Sequence, residues 1–243
     1  MTDGWAANVP LVLIVLLGSS VQWLTGMGFA LVAVPALVLL LGPAEGVVLA
    51  NCAAGVICAV GLADGWRQVR TRTMVPLCVA AVCTVPVGTW VARRLSAPWL
   101  LTGTGALVVV AVVVVMCGVR VRALRGSGGA VTAGALGGFM NAAAAVGGPP
   151  VSLYAVNAGW SVREFVPNAQ FYGVVVNAVS VASNGVPRLG PSVWALVAGA
   201  MAVGALLGRE LAGRVPEKGA RFLVLALALG GGASALVKGV QGL

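Results

Sequence analysis

"NAAAAVGGPPVSLYAVNAGW", residues Asn141 to Trp160, is apolar enough to sit in lipid, yet Gly147 to Pro150 place Gly-Gly-Pro-Pro at its centre. Proline removes a backbone donor and clashes with the preceding turn, and glycine is a poor helix former, so one continuous helix across this stretch is excluded. In a bilayer such a break survives only where protein or a water-filled cavity satisfies the freed N–H and C=O groups. The reading therefore turns on whether the rest of the chain lies in a membrane.

Composition answers this. Of the 243 residues, 60% are hydrophobic and 9% charged, and Leu100 to Val119 runs without a single charge. That leaves too little polar surface for a water-soluble globule and predicts an all-α, polytopic helical protein of the cell membrane, with the lipid bilayer as its solvent. The first apolar segment opens near Val9 with only Asp3 ahead of it and no small-residue cleavage site, so it reads as retained. The net charge of +9 lies in short loops between apolar segments. That is the distribution membrane orientation requires, and it argues against a nucleic-acid partner. Cys52, Cys58, Cys78, Cys83 and Cys117 sit inside apolar stretches, and the chain has no histidine. They read as packing thiols, with neither a metal nor a cofactor expected. Trp66, Trp90, Trp99, Trp160 and Trp194 lie near segment ends, as interfacial anchors do.

Apolar segments fall near 9–24, 29–41, 46–63, 74–92, 99–119, 130–146, 149–160, 165–185, 192–208 and 220–238, which predicts about eight to ten membrane segments. At 1.5 Å per residue, 29–41 reaches about 20 Å and 149–160 about 18 Å, against a hydrocarbon core of roughly 30 Å, so neither spans alone. The one clear hydrophilic linker, Arg120 to Gly129, divides the chain into a first repeat, 1–119, and a second, 130–243. A displacement of 119 residues superposes Gly18 on Gly137, Gln22 on Asn141, Gly28 on Gly147, Glu45 on Glu164 and Asn51 on Gln170. With a three-residue shift, "VGTWVARRL" from Val87 falls on "VGALLGREL" from Val203, pairing Arg93 with Arg209. The coincidence of rare residue types points to an internal duplication.

Loop charge orients the halves. With the N-terminus outside and each segment reversing direction, eleven basic residues lie inside, and only Arg93, Arg94, Arg188 and Lys238 lie outside. Each half then makes an odd number of reversals, so the repeats are inverted. Inverted repeats with helices broken inside the bilayer are the architecture of secondary transporters, which hold substrate near the midplane. A half-helix opening at Pro149 aims backbone amides and a partial positive charge at the break, which favours an anion.

The substrate-binding candidates follow from these positions. Gly147 and Gly148 line the second break, and Gly26 and Gly28 the first. Asn141, Gln170 and Asn177, with Gln22, Thr25 and Asn51 in the first half, can donate to an anion without a fixed charge or can simply tie helices together. Tyr172 can donate to an oxyanion or pack. Glu45 and Glu164 read as helix N-terminal stabilisers, and Arg93 and Arg209 as interfacial anchors.

The order "GGFMNAAAAVGGPPVSLYAVNAGW" followed by "EFVPNAQFYGVVVNAVS", with its weaker copy "SSVQWLTGMGFALVAVPALVLLLGPAEGVVLAN", resembles the sulfite exporter TauE/SafE family of membrane permeases from about Val9 to Val237. The resemblance implies movement of small sulfur-containing anions such as sulfite or organosulfonates. The first copy departs from the family pattern, with Gly-Met-Gly-Phe in place of a fuller glycine run. An enzyme would need a nucleophile, base or metal ligands near the membrane interior, and no histidine or acidic cluster supplies them. No ATP-binding loop of the G-x-x-x-x-G-K-[ST] kind occurs, so the energy would come from an ion gradient, the membrane potential or the substrate gradient. A channel or a structural membrane subunit demands no motif and stays open as the alternative, and the sequence is compatible with a homo-oligomer.

Overall fold

The computed structural model describes residues 8–26, 28–117, 126–212, 214 and 217–243. Ten α-helices run through them: α1 (Val9–Thr25), α2 (Phe29–Leu41), α3 (Pro43–Ala63), α4 (Thr71–Arg94), α5 (Ala97–Cys117), α6 (Gly126–Ala144), α7 (Gly148–Asn157), α8 (Val162–Asn184), α9 (Pro191–Ala212) and α10 (Glu217–Gln241). There is no strand among the described residues. Each expected apolar segment is one helix, and most helices extend past it into polar residues at the membrane surface. Within the expected linker, Gly126 to Gly129 form the first turn of α6, while 120–125 lie outside the described residues. Among the described residues five helices, α3, α4, α5, α8 and α9, are long and apolar enough to cross a bilayer.

Glycine and proline set the boundaries. Pro43, Pro149 and Pro191 each stand in a first turn, where a missing N–H costs nothing. Gly26 ends α1 with φ 78, a left-handed conformation natural to glycine, and its N–H returns to the Gln22 carbonyl. At the second break the same conformation is adopted by Ala145, with φ 53. There the Val146 amide reaches back to Met140 O and that of Ala145 to Asn141 O.

Leu13, Leu17, Val56, Val79 and Leu206 are exposed on the outside of the bundle, the face that lipid covers. Helix directions follow from close contacts. Gly134 and Gly138 of α6 lie against the Leu77 and Ala81 carbonyls of α4, so these two helices run parallel. Gly204 and Gly208 of α9 lie against the Leu16 and Ser20 carbonyls of α1, again parallel. By contrast Gly61 meets Gln170 and Gly55 meets Asn177, so α3 and α8 are antiparallel. The same holds for α5 and α10, where Gly105 meets Leu236 and Gly239 meets Thr102. Exchanging the halves maps every one of these pairings onto another or onto itself, as a two-fold axis across the helices does for inverted repeats. Phe29 and Gly148, which open α2 and α7, are 119 residues apart, as are Pro43 and Val162, which open α3 and α8.

Gly18 faces both Phe29 and Ala33, so α2 folds back along α1 as a hairpin. α7 folds back likewise: it starts beside Gly137 and Asn141 of α6 and ends near Trp160, whose ring packs on Tyr154 and lies under Arg70 at the start of α4. Both short segments are therefore arms of re-entrant hairpins. Arg67, Arg70, Arg72, Arg163, Arg209 and Arg214 gather at one end of the bundle, called here the Arg70 end. Arg93, Arg94, Arg188 and Lys238 lie at the other, the Arg93 end.

Candidate functional site

The second break is built around Asn141. Its amide nitrogen lies 3.0 Å from Asn51 Oδ1, Asn177 Oδ1 and Ser180 Oγ, and the Asn51 amide donates to the Asn141 carbonyl at 3.4 Å. All four residues are buried. Two N–H groups facing three acceptors leave Asn141 no donor to spare, so it ties α6 to α3 and α8. A few ångströms on, a Cβ placed on Gly147 would meet Asn141 Cβ and the Gly137 carbonyl oxygen at 2.8 Å, so only glycine fits there. Pro149 and Pro150 carry no N–H. The donors that the α7 terminus can offer are thus those of Gly147 and Gly148, fewer than a helix start normally presents.

Tyr172 of α8 reaches the same place. A Cβ on Gly137 would run into its hydroxyl and meet the Gly147 carbonyl oxygen at 2.9 Å. Tyr172 is 3% exposed, and its hydroxyl has no hydrogen-bond partner among the described residues. A buried hydroxyl left unpaired is costly, and a ligand or water bound here would remove that cost.

The first break is closed by its own side chains. Gln22 Oε1 accepts from the Phe29 amide at 3.0 Å, and Gln22 Nε2 donates to the Gly26 carbonyl at 3.2 Å. Gln170 Nε2 reaches the same carbonyl at 3.5 Å, leaving Gln170 Oε1 buried without a partner. The Phe29 ring fills the space against Gly18. Gly28 holds φ 133 before α2. Met27 and the Thr25 side chain lie outside the described residues.

The candidate residues thus form two clusters and not one shared cavity. Asn51, from the first half, joins Asn141, Asn177, Gly147 and Gly148; Gln170, from the second, joins Gln22 and Gly26. The crossing follows from the antiparallel pairing of α3 with α8. Seven residues of α8 separate Gln170 from Asn177, about 10 Å along the helix. Ser180 and Asn184 were not among the candidates. Asn184 Nδ2 donates to Ala142 O at 3.1 Å. Their signal was present, since Gln170, Asn177, Ser180 and Asn184 recur at helical spacing and make one polar stripe on α8.

The charged residues have local partners. Ser161 and Glu164 form a reciprocal capping box at the start of α8, and Glu164 also pairs with Arg70. Glu45 Oε2 accepts from the Arg188 amide at 3.1 Å. Cys58 and Cys78 are buried and free, Cys58 against Gly173; the Cys117 side chain lies outside the described residues.

A family model described as Sulfite exporter TauE/SafE matches residues 11–235. No curated protein matches the chain, and no solved structure does. The apolar helices, the two re-entrant hairpins and a match over nearly the whole length agree: this multi-pass membrane protein belongs to the sulfite exporter TauE/SafE family, whose members are permeases and not enzymes.

Proposed function

We propose that the chain is a secondary permease for a small anion, a sulfur oxyanion such as sulfite or an organosulfonate, bound at the second break. The Gly147 and Gly148 amides and the Tyr172 hydroxyl would hold it, with Asn51, Asn141 and Asn177 keeping the break in shape. The observation that carries this reading is the Tyr172 hydroxyl, buried and unpaired beside the start of α7. A helix N-terminus and a neutral O–H together favour negative charge without binding it too tightly to release.

Residues 1–119 and 130–243 act as the two inverted repeats, and rocking of one against the other exposes the break to alternate sides. The Arg70 end faces the cytoplasm, because the basic residues concentrate there. In a cell that is negative inside, an anion leaving is helped by about 2.3 kcal/mol per charge per 100 mV, so export needs no second ion.

The test is sulfite flux into proteoliposomes across a concentration series. Wild-type flux should saturate, and Tyr172→Phe should raise the half-saturating concentration about tenfold while the protein melts at the same temperature or higher. An unchanged half-saturation removes Tyr172 from the site. Flux that grows without saturating makes the protein a channel.

A further inference from the structure

At the Arg93 end a pocket of about 160 Å³ opens between the starts of α3 and α5 and the ends of α4, α6 and α8. Pro43, Val47 and Leu100 give it apolar walls, Ala142 and Ala143 line it from α6, and Arg93 and Asn184 supply its polar groups. Arg93 Nη2 donates to the Ser183 carbonyl at 2.7 Å, which holds the guanidinium in place while most of its N–H groups point elsewhere. Among the described residues no carboxylate lies within ion-pair distance of Arg93. Glu45, at the same end, is engaged by the Arg188 amide, and Arg94 lies over the Trp90 ring. Ala142 and Ala143, which line the pocket, lie three and two residues before the left-handed Ala145 of the second break.

Arg209, at the opposite end, is held differently. In the packing Gly208, against Ser20 and Trp23, matches Gly88, against Phe139 and Ala142, so Arg209 stands where the first half has Thr89, and the counterpart of Arg93 is position 213, outside the described residues. The Arg209 guanidinium stacks on Trp23, 4.1 Å from the ring centroid, with Asp64 3.9 Å away. Arg209 thus has an aromatic and a carboxylate partner, whereas among the described residues Arg93 has neither.

We propose that this pocket is an anion vestibule for the second break, in which Arg93 receives a small oxyanion and Asn184 contacts one of its oxygens. A held guanidinium on an apolar wall attracts oxyanions more strongly than one in bulk water, and its planar donors match their geometry. The inference rests on the permease reading for its purpose, but the binding it asserts does not depend on transport.

Sulfite is the probe, with binding measured by calorimetry on the purified full chain and flux measured in proteoliposomes. Arg93→Gln should weaken sulfite binding roughly tenfold to a hundredfold, Arg93→Lys less, and Arg209→Gln less than about twofold. Ala44→Trp, at an exposed position on the pocket wall, should obstruct the pocket and weaken binding as Arg93→Gln does. Melting temperatures separate these effects from loss of the Ser183 contact, which costs stability alone. Wild-type affinity in both Arg93→Gln and Ala44→Trp overturns the vestibule, as does a wild-type protein that binds no sulfite. Arg93-dependent binding without flux in the wild type sustains the vestibule and overturns the permease reading.

Discussion

The two helix breaks occupy equivalent positions in the two halves and are closed by opposite means. In the first, Gln22 caps the α2 amide and the Gly26 carbonyl, and the Phe29 ring takes up the space beside Gly18. In the second, the counterpart of Phe29 is Gly148, and beside Gly137, the counterpart of Gly18, stands the Tyr172 hydroxyl. Asn141, the counterpart of Gln22, turns away from the break to bind Asn51, Asn177 and Ser180. Once duplicated, a broken helix needs its loose backbone groups satisfied in both copies. Only one copy has to leave room for a ligand.

Gly148→Phe would write the first break into the second. We expect it to lower flux more than about 100-fold, because a benzyl group at the α7 terminus fills the space where the anion meets two amides. The first half has Ala53 where the second has Tyr172, so the variant is made together with Tyr172→Ala, and the double variant should melt near wild type. Flux per folded molecule at wild-type level would break the comparison.

Asn141→Ala and Gln22→Ala sharpen it on the side of stability. Removing Asn141 leaves three buried acceptors without their shared donor and should cost about 1–3 kcal/mol. Removing Gln22 deprives α2 of a cap and should cost about 1 kcal/mol or less, with sulfite affinity unchanged. Thermal or denaturant midpoints of the two variants decide the matter, and equal losses would mean that the breaks are held alike. The smallest expected effect is that of Ala145→Gly, which relieves a left-handed alanine and should stabilise the protein by roughly 0.5 kcal/mol after the entropy of the added glycine is set against it. A lowered midpoint would show that the Ala145 methyl packs to more purpose than its backbone strain suggests.

Most of this fold was legible because lipid imposes a simple demand. Every spanning backbone must be helical and coated with apolar side chains, so each apolar run becomes a helix and each Gly or Pro cluster a boundary. The inverted duplication was legible in polar residues such as Gln22 and Asn141, which are rare enough to stand out. The composition of the clusters was harder to read. Repeat alignment pairs Asn51 with Gln170, but the antiparallel packing of α3 on α8 sends each into the other half's break. Nor does spacing reveal that Asn141 spends its donors on protein partners, which depends on Ser180 arriving from a third helix. The arginines were anticipated as surface anchors, yet Arg93 caps the Ser183 carbonyl and Arg209 rests on an indole, contacts set by tertiary placement.

Ser19 of α1 donates to the Met201 carbonyl of α9, a contact spanning 182 residues of sequence. Since α1 packs along α9, and α4 along α6, neither half can finish its own interior while the ribosome is still making the other. At about 5–20 residues per second, α1 waits roughly 10–40 s in the bilayer before its partner is synthesised. During that interval the face that α9 will cover, with Ser19 and Ser20, meets lipid or the insertion machinery. Biogenesis is thereby the stage at which this protein is most exposed to mispairing and quality control, and substitutions on the α1–α9 seam should lower yield in cells more than they lower the stability of the finished molecule.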